Sequence, residues 1–286
     1  MTAHTVVRIL TTAALAGLLF EIGLRLKPRE LRESLSDHFL LLRVLLLNFV
    51  GIPALALLLM RLLEMPRDPA VAILLLAAAP FAPVVPIFTK MVRGDLALAA
   101  SLTALFPFVS AFGTPLVCEV GVRFLPGGAD LSFSFAIILL VLLATITAPL
   151  AAGVAVNHWC PSVGGALQKP VEVIADAAGA LSLGFVTWTE WSAITRIGWQ
   201  PLLLTGVISE MSLLLGYLSG SGGASKRRVT AFGASNRNIA LAILVAIDSF
   251  ANSPILPQVV ANGLLLIFLG LIHVAWWRFA RPEKPA

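Results

Sequence analysis

Residues 233–242 read Gly-Ala-Ser-Asn-Arg-Asn-Ile-Ala-Leu-Ala, which sets Ser235, Asn236, Arg237 and Asn238 in succession between small and apolar residues. A guanidinium stays protonated and offers a planar fork of donors, so it suits a carboxylate or another anion. Glu210, in Val-Ile-Ser-Glu-Met-Ser-Leu, offers the complementary chemistry. A carboxyl away from water holds its proton more tightly and can couple proton movement to another event. Asn48 and Thr103 add uncharged oxygen donors inside other apolar runs. Each also has a structural reading. Arg237 can be a plug bonded to unwound carbonyls or to an acidic partner, and Glu210 can be the ion-pair partner of Arg237 or Arg43. Neither His-Glu-x-x-His nor Gly-x-Ser-x-Gly occurs, and no nucleophile stands beside a base, which argues against an intramembrane enzyme. The four histidines are scattered, and Cys118 and Cys160 lack metal-ligand spacing, so no metal cluster and no cofactor is expected.

These residues sit in a chain of 286 residues that is 58% hydrophobic and only 12% charged, with mean hydropathy +0.94. A water-facing domain carries about a quarter charged residues, so this is an all-α integral membrane protein whose first partner is the lipid bilayer. Runs such as Phe-Ala-Ile-Ile-Leu-Leu-Val-Leu-Leu-Ala (135–144) do not alternate in polarity, which excludes a transmembrane barrel. Nine spans are predicted, at about 5–25, 37–63, 69–90, 95–123, 130–158, 170–195, 198–219, 228–249 and 254–279. The net charge of +5 comes from basic loops between spans, not from one basic face, so nucleic acid is not an expected partner. Basic residues concentrate on the C-terminal side, at 25–32, 90–93, 226–228, 278–284 and Lys169, against Arg8, Arg61, Arg67, Arg123 and Arg196 opposite. Basic loops remain cytoplasmic, so the N-terminus is expected outside and the C-terminus inside a cell (inner) membrane. Trp159, Trp188, Trp191, Trp199, Trp276 and Trp277 fall at span ends, where they anchor to the interfaces. Glu21 and Asp248 lie near span ends and read as structural. Residues 219–228 (Ser-Gly-Ser-Gly-Gly-Ala-Ser-Lys-Arg-Arg) lack Walker spacing and read as a flexible loop.

Two spans look interrupted. The third contains Pro80, Pro83 and Pro86, and three prolines so spaced cannot occupy a regular helix. The eighth carries Gly233 and the polar cluster. Unwound backbone at membrane depth is tolerated only where protein or a cavity covers it, and interrupted spans in corresponding positions of two halves point to a carrier site. Spans three and eight are five apart. That spacing fits inverted five-helix repeats lacking the first helix, with the two breaks crossing. The first repeat is then residues 1–123, with its broken helix at about 69–90, and the second is 124–286, with its broken helix at about 228–249.

With those segments located, the chain resembles the bile acid:sodium symporter family. The likeness rests on Gly-Leu-Arg-Leu-Lys-Pro-Arg-Glu-Leu (23–31), on Asn-Phe-Val-Gly-Ile-Pro-Ala-Leu-Ala-Leu (48–57), on residues 77–117 and on residues 233–246. It implies a core domain and a panel domain that move to give alternating access, and hence a secondary transporter of a small or amphipathic organic anion. The alternative is a proton-coupled or facilitative carrier, or a sensor of the same fold. The resemblance also implies two sodium sites at the crossover, and this chain departs from them. The family's Gly-Gly-Thr-Ala-Ser-Asn stretch falls on Phe81, Ala82, Pro83, Val84, Val85 and Pro86. A ligating serine falls on Ala99, although Thr103 is kept. A glutamate falls on Gly233, one glutamine on Arg237 and another on Asn48. Sodium is a hard cation that needs several oxygens, so the usual sites are expected to be lost, with the charge of Arg237 in place of a bound cation. Asn48, Pro83, Pro86, Thr103, Glu210, Ser235, Asn236, Arg237 and Asn238 are the expected substrate-binding or crossover residues. Val85, Pro86, Ala99 and Gly233 are the degenerate sodium positions.

Overall fold

A computed structural model describes residues 3–26, 36–127, 133–250 and 253–279. Lys27, Arg29, Arg32, Arg281 and Lys284, part of the charge asymmetry above, lie outside the described residues, as does the end of the 23–31 segment. Every element among the described residues is helical. Besides a single turn at Trp191–Ile194, they are α1 (Ala3–Arg25), α2 (His38–Leu62), α3 (Arg67–Ala77), α4 (Val85–Met91), α5 (Leu96–Val122), α6 (Phe135–Trp159), α7 (Pro161–Thr189), α8 (Trp199–Ser219), α9 (Ala224–Ser235), α10 (Ile239–Ser249) and α11 (Ile255–Phe279). Eight helical stretches are long and apolar enough to cross a membrane, with α9 and α10 together forming one of them. The third expected span is divided between α3 and α4, of 11 and 7 residues, each too short to cross by itself.

Capping marks where several helices begin. Asp37 accepts from the Leu40 amide at 2.9 Å, Asp95 from Leu98 at 3.0 Å and Asn238 from Leu241 at 3.1 Å. The Leu40 amide, with the Ser221 hydroxyl behind it, holds the Asp37 carboxyl below the usual carboxylate range. α2 and α6 each widen into one π turn, Leu47–Gly51 and Leu143–Thr147. Pro53 and Pro149 follow at once, and the wider turn relieves the clash of the proline ring with the preceding turn. α7 begins nine residues before the expected span start at 170. It carries Pro170 in its interior, so the proline and its polar neighbours do not end the helix.

Two layers result. α1 packs on α6 and α7. A Cβ on Gly23 would lie 2.4 Å from the Leu150 carbonyl, and one on Gly153 would lie 2.2 Å from that of Phe20, so only glycines permit this approach. The Thr11 and Ser182 hydroxyls, 2.6 Å apart, join α1 to α7. The other elements surround the two interrupted helices. The most apolar stretch of Ala224–Ser249 is 83% buried, against 17% for Pro161–Thr189, which puts the breaks at the centre and α7 at the periphery.

Candidate crossover site

The chain leaves α3 at Ala77 and re-enters a helix at Val85; it leaves α9 at Ser235 and re-enters at Ile239. Helix ends within an apolar interior need partners for their backbone groups. The two breaks supply them to each other. The Ala82 amide donates to the Asn236 carbonyl at 3.0 Å, and the Asn238 amide donates to the Ala79 carbonyl at 2.8 Å. The Thr114 hydroxyl of α5 donates to the Ala78 carbonyl at 2.7 Å. The expected meeting of the breaks is therefore a direct hydrogen-bonded crossing. Pro83 lies in its first strand of chain, and Pro86 sits in the first turn of α4, where a missing amide costs nothing.

Arg237 is 5% exposed and makes two hydrogen bonds among the described residues. Its Nη1 donates to Asn48 Oδ1 at 3.2 Å, and its Nη2 donates to the Ala234 carbonyl at 2.5 Å. Asn48 lies fully buried in the π turn of α2 and donates from Nδ2 to the Val44 carbonyl at 2.9 Å. Ser235 and Asn236 complete the turn: Asn236 Nδ2 donates to Ser235 Oγ and to the Phe232 carbonyl, both at 3.1 Å. The guanidinium thus links α2, the end of α9 and the break. Among the described residues no carboxylate pairs with it, which leaves the two carbonyl-type oxygens as its observed partners.

Glu210 is elsewhere. Its side chain is half exposed and lies 3.0 Å from His273 Nε2, so it pairs with neither Arg237 nor Arg43. Arg43 is exposed and donates from Nε to the Phe39 carbonyl. The two carboxyls noted near span ends are also paired: Glu21 with Arg25, and Asp248 with Arg8 at 3.0 Å.

Two of the degenerate positions, Val85 and Ala99, lie in an apolar cluster. Both are 0% exposed and pack with Phe81, Phe106 and Phe232. Phe81 adopts φ +59°, a left-handed conformation rare for a bulky residue. Its ring stacks on Phe106 with centroids 4.6 Å apart and lies against bare Gly233, where a Cβ would come within 2.1 Å of Cε2. Thr103 turns its hydroxyl back to the Ala99 carbonyl at 2.8 Å.

Two cavities flank the first break, between α1 and α7 on one side and the crossing on the other. One, of about 520 Å³, is bordered by Leu18, Pro83, Asp176, Asn236, Arg237 and Asn238. The second, of about 300 Å³, is bordered by Glu21, Arg25, Pro86, Thr103, Glu172 and again Pro83 and Asp176. Arg25 joins Glu21 and, at 2.8 Å, Glu172 at that end. At the opposite end of α1, the Arg8–Asp248 pair ties α1 to α10. Phe81, Thr114 and Asp176 have no site signature in the sequence. Thr114 and Phe81 act through backbone geometry, and Asp176 comes from a helix whose polar residues read as ordinary surface.

The sequence matches the family model described as the Sodium Bile acid symporter family over residues 12–197. It is 24% identical over 279 residues to a protein of Arabidopsis thaliana named "Probable sodium/metabolite cotransporter BASS1, chloroplastic", covering 96% of this chain and 68% of that one. A protein of the same name from Oryza sativa subsp. japonica is 24% identical over 283 residues, covering 95% of this chain and 67% of the relative.

Proposed function

The chain belongs to the sodium bile acid symporter family, and from that premise we propose that it is a carrier of a small or amphipathic organic anion in which Arg237 takes the place of a bound cation. The observation that carries this is the pair of oxygens on its guanidinium. A side-chain amide oxygen from α2 and a carbonyl at an unwound helix end are donors of the kind that hold a hard cation, and both are engaged by Arg237. The fit to sodium is poor on independent grounds too. Gly233 supplies no carboxylate, and Val85, Pro86 and Ala99 supply no side-chain oxygen. A tethered guanidinium holds the crossing together in every state of the cycle, so no step waits on sodium.

On this reading the third expected span is α3 with α4, which gives nine spans and two inverted repeats, residues 1–123 and 124–286. α1, α6 and α7 form the panel and the remaining helices the core. The two cavities are one substrate path: apolar walls receive the body of the solute, while Asn236, Asn238 and the field of Arg237 orient its anionic end. The N-terminus is outside and the C-terminus cytoplasmic, which makes this an outward-closed state sealed by Arg8–Asp248. A proton-coupled form would draw on Asp176 and Glu21, which border the path, in preference to Glu210, which does not.

The test is counterflow in proteoliposomes, with a radiolabelled keto acid and a radiolabelled steroid carboxylate as probes. Saturable uptake that is accelerated by the same anion on the opposite side, and unchanged when choline replaces sodium, supports the proposal. Uptake that neither saturates nor responds to the opposite side refutes a carrier.

A further inference from the structure

A small cavity of about 20 Å³ lies on the side of Arg237 facing α8, bordered by Thr205, Ser209, Ser212 and Ser235 together with apolar residues of α2, α3 and α11. Space of that size holds one water or one monatomic ion, and no organic solute. Three features give it a sign. Arg237 is buried without a carboxylate among the described residues, and a guanidinium with two hydrogen bonds keeps three further N–H groups. Thr205, 5% exposed, has a hydroxyl buried without a partner. Ser235 already accepts from Asn236 through Oγ, so its own hydrogen is free to be donated, whereas Ser212 spends its hydrogen on the Ile208 carbonyl. A cavity lined by donors and one fixed positive charge favours an anion over a neutral water, because buried charge is costly unless compensated.

We propose that this cavity is a binding site for a single monatomic anion, chloride in the cell, which serves as counter-ion to Arg237. The anion accepts from the guanidinium and from the Thr205, Ser209 and Ser235 hydroxyls, and it is separate from the substrate path on the other side of the break. The site depends on the charge and burial of Arg237 and on the hydroxyls around it, not on any transported solute, so it can stand or fall independently of the carrier reading.

The experiment is thermal unfolding of the purified full chain in detergent at constant sodium and ionic strength, with chloride, bromide or gluconate as the anion. Gluconate is too large for the cavity. The expected result is a midpoint that rises saturably with chloride and with bromide but not with gluconate. Thr205→Val removes one hydroxyl while keeping shape and should raise the half-saturating chloride concentration about tenfold, the scale of one hydrogen bond to an ion. Ser209→Ala should do the same to a smaller extent, and a crystal grown in bromide should show its anomalous peak between Arg237 and Thr205. Superimposable chloride and gluconate curves would overturn the proposal and leave the cavity to water. So would a chloride effect that persists undiminished in both variants, since the ion would then bind elsewhere.

Discussion

Gly233→Ala is the smallest change that probes how the crossing is built. Gly233 is helical, in the last turn of α9, so alanine by itself should stabilise it by about 1 kcal/mol. The added Cβ would, however, stand 2.1 Å from Cε2 and 2.6 Å from Cδ2 of Phe81. The ring cannot simply swing away, because Phe106 stacks on it with centroids 4.6 Å apart. Overpacking of this kind costs ~1–3 kcal/mol, and a contact this short belongs at the upper end, which leaves a net loss of about 2 kcal/mol after the helical gain. Phe81→Gly removes the ring and relieves the left-handed backbone; in that background Gly233→Ala should become neutral or stabilise by up to ~1 kcal/mol. The coupling between the two positions is then about 2–3 kcal/mol, readable as a double-mutant cycle on unfolding midpoints in mixed micelles. An equal cost of Gly233→Ala in both backgrounds would refute the steric pairing of Phe81 with Gly233.

Asn48→Leu leaves Nη1 of Arg237 without its oxygen in a buried site and should cost ~1–3 kcal/mol; an unchanged unfolding midpoint would show that the bond does not hold the crossing. Arg237→Gln should abolish counterflow while Arg237→Lys keeps a fraction, measured per folded monodisperse protein, and wild-type rates for glutamine would refute the tethered-cation role. Building a sodium site should require Gly233→Glu with Arg237→Gln and, because the Phe81 ring fills the space, Phe81→Gly, with Val85→Ser and Pro86→Asn to add oxygens; a sodium-dependent thermal shift is the readout, and one that arises with Phe81 intact contradicts the packing. The Asp37 cap should stabilise α2 at neutral pH and weaken as pH falls through the depressed pKa of the folded state, because a lowered carboxylate pKa gives stability only above that range. Asp37→Asn keeps a capping side chain and should flatten this acid limb of the unfolding midpoint.

The membrane class and the interrupted helices were legible because both rest on coarse chemistry. Apolar length shows a span, and Pro80, Pro83 and Pro86 forbid a helix whatever packs around them. The polar run from Ser235 to Asn238 marked the second break for the same reason. The cluster around Arg237 was legible only in part. Sequence placed Asn48 within reach by resemblance, but the bond to the Ala234 carbonyl depends on how α9 ends, which side-chain identity does not encode. Glu210 misled because depth in a span says nothing of azimuth; its carboxylate points away from the breaks, towards His273. Phe81 was invisible, since a phenylalanine with φ +59° is a consequence of tertiary packing against Gly233 and Phe106 and opposes its own local preference. α7 starts nine residues before the expected span because apolar length marks the part of a helix that crosses a membrane, not the more polar turns, here residues 161–169, that extend it.

The central claim, that a fixed guanidinium stands where a cation would bind, is tested most directly by sodium binding itself, without any need to know the transported solute. Radiolabelled sodium should be titrated onto the purified protein in a scintillation proximity assay, at constant chloride with choline as the replacing cation. The account predicts no saturable binding for the wild type. Saturable sodium binding by the wild type that disappears in Asn48→Leu would contradict it, because the oxygens assigned to Arg237 would then be serving the ion.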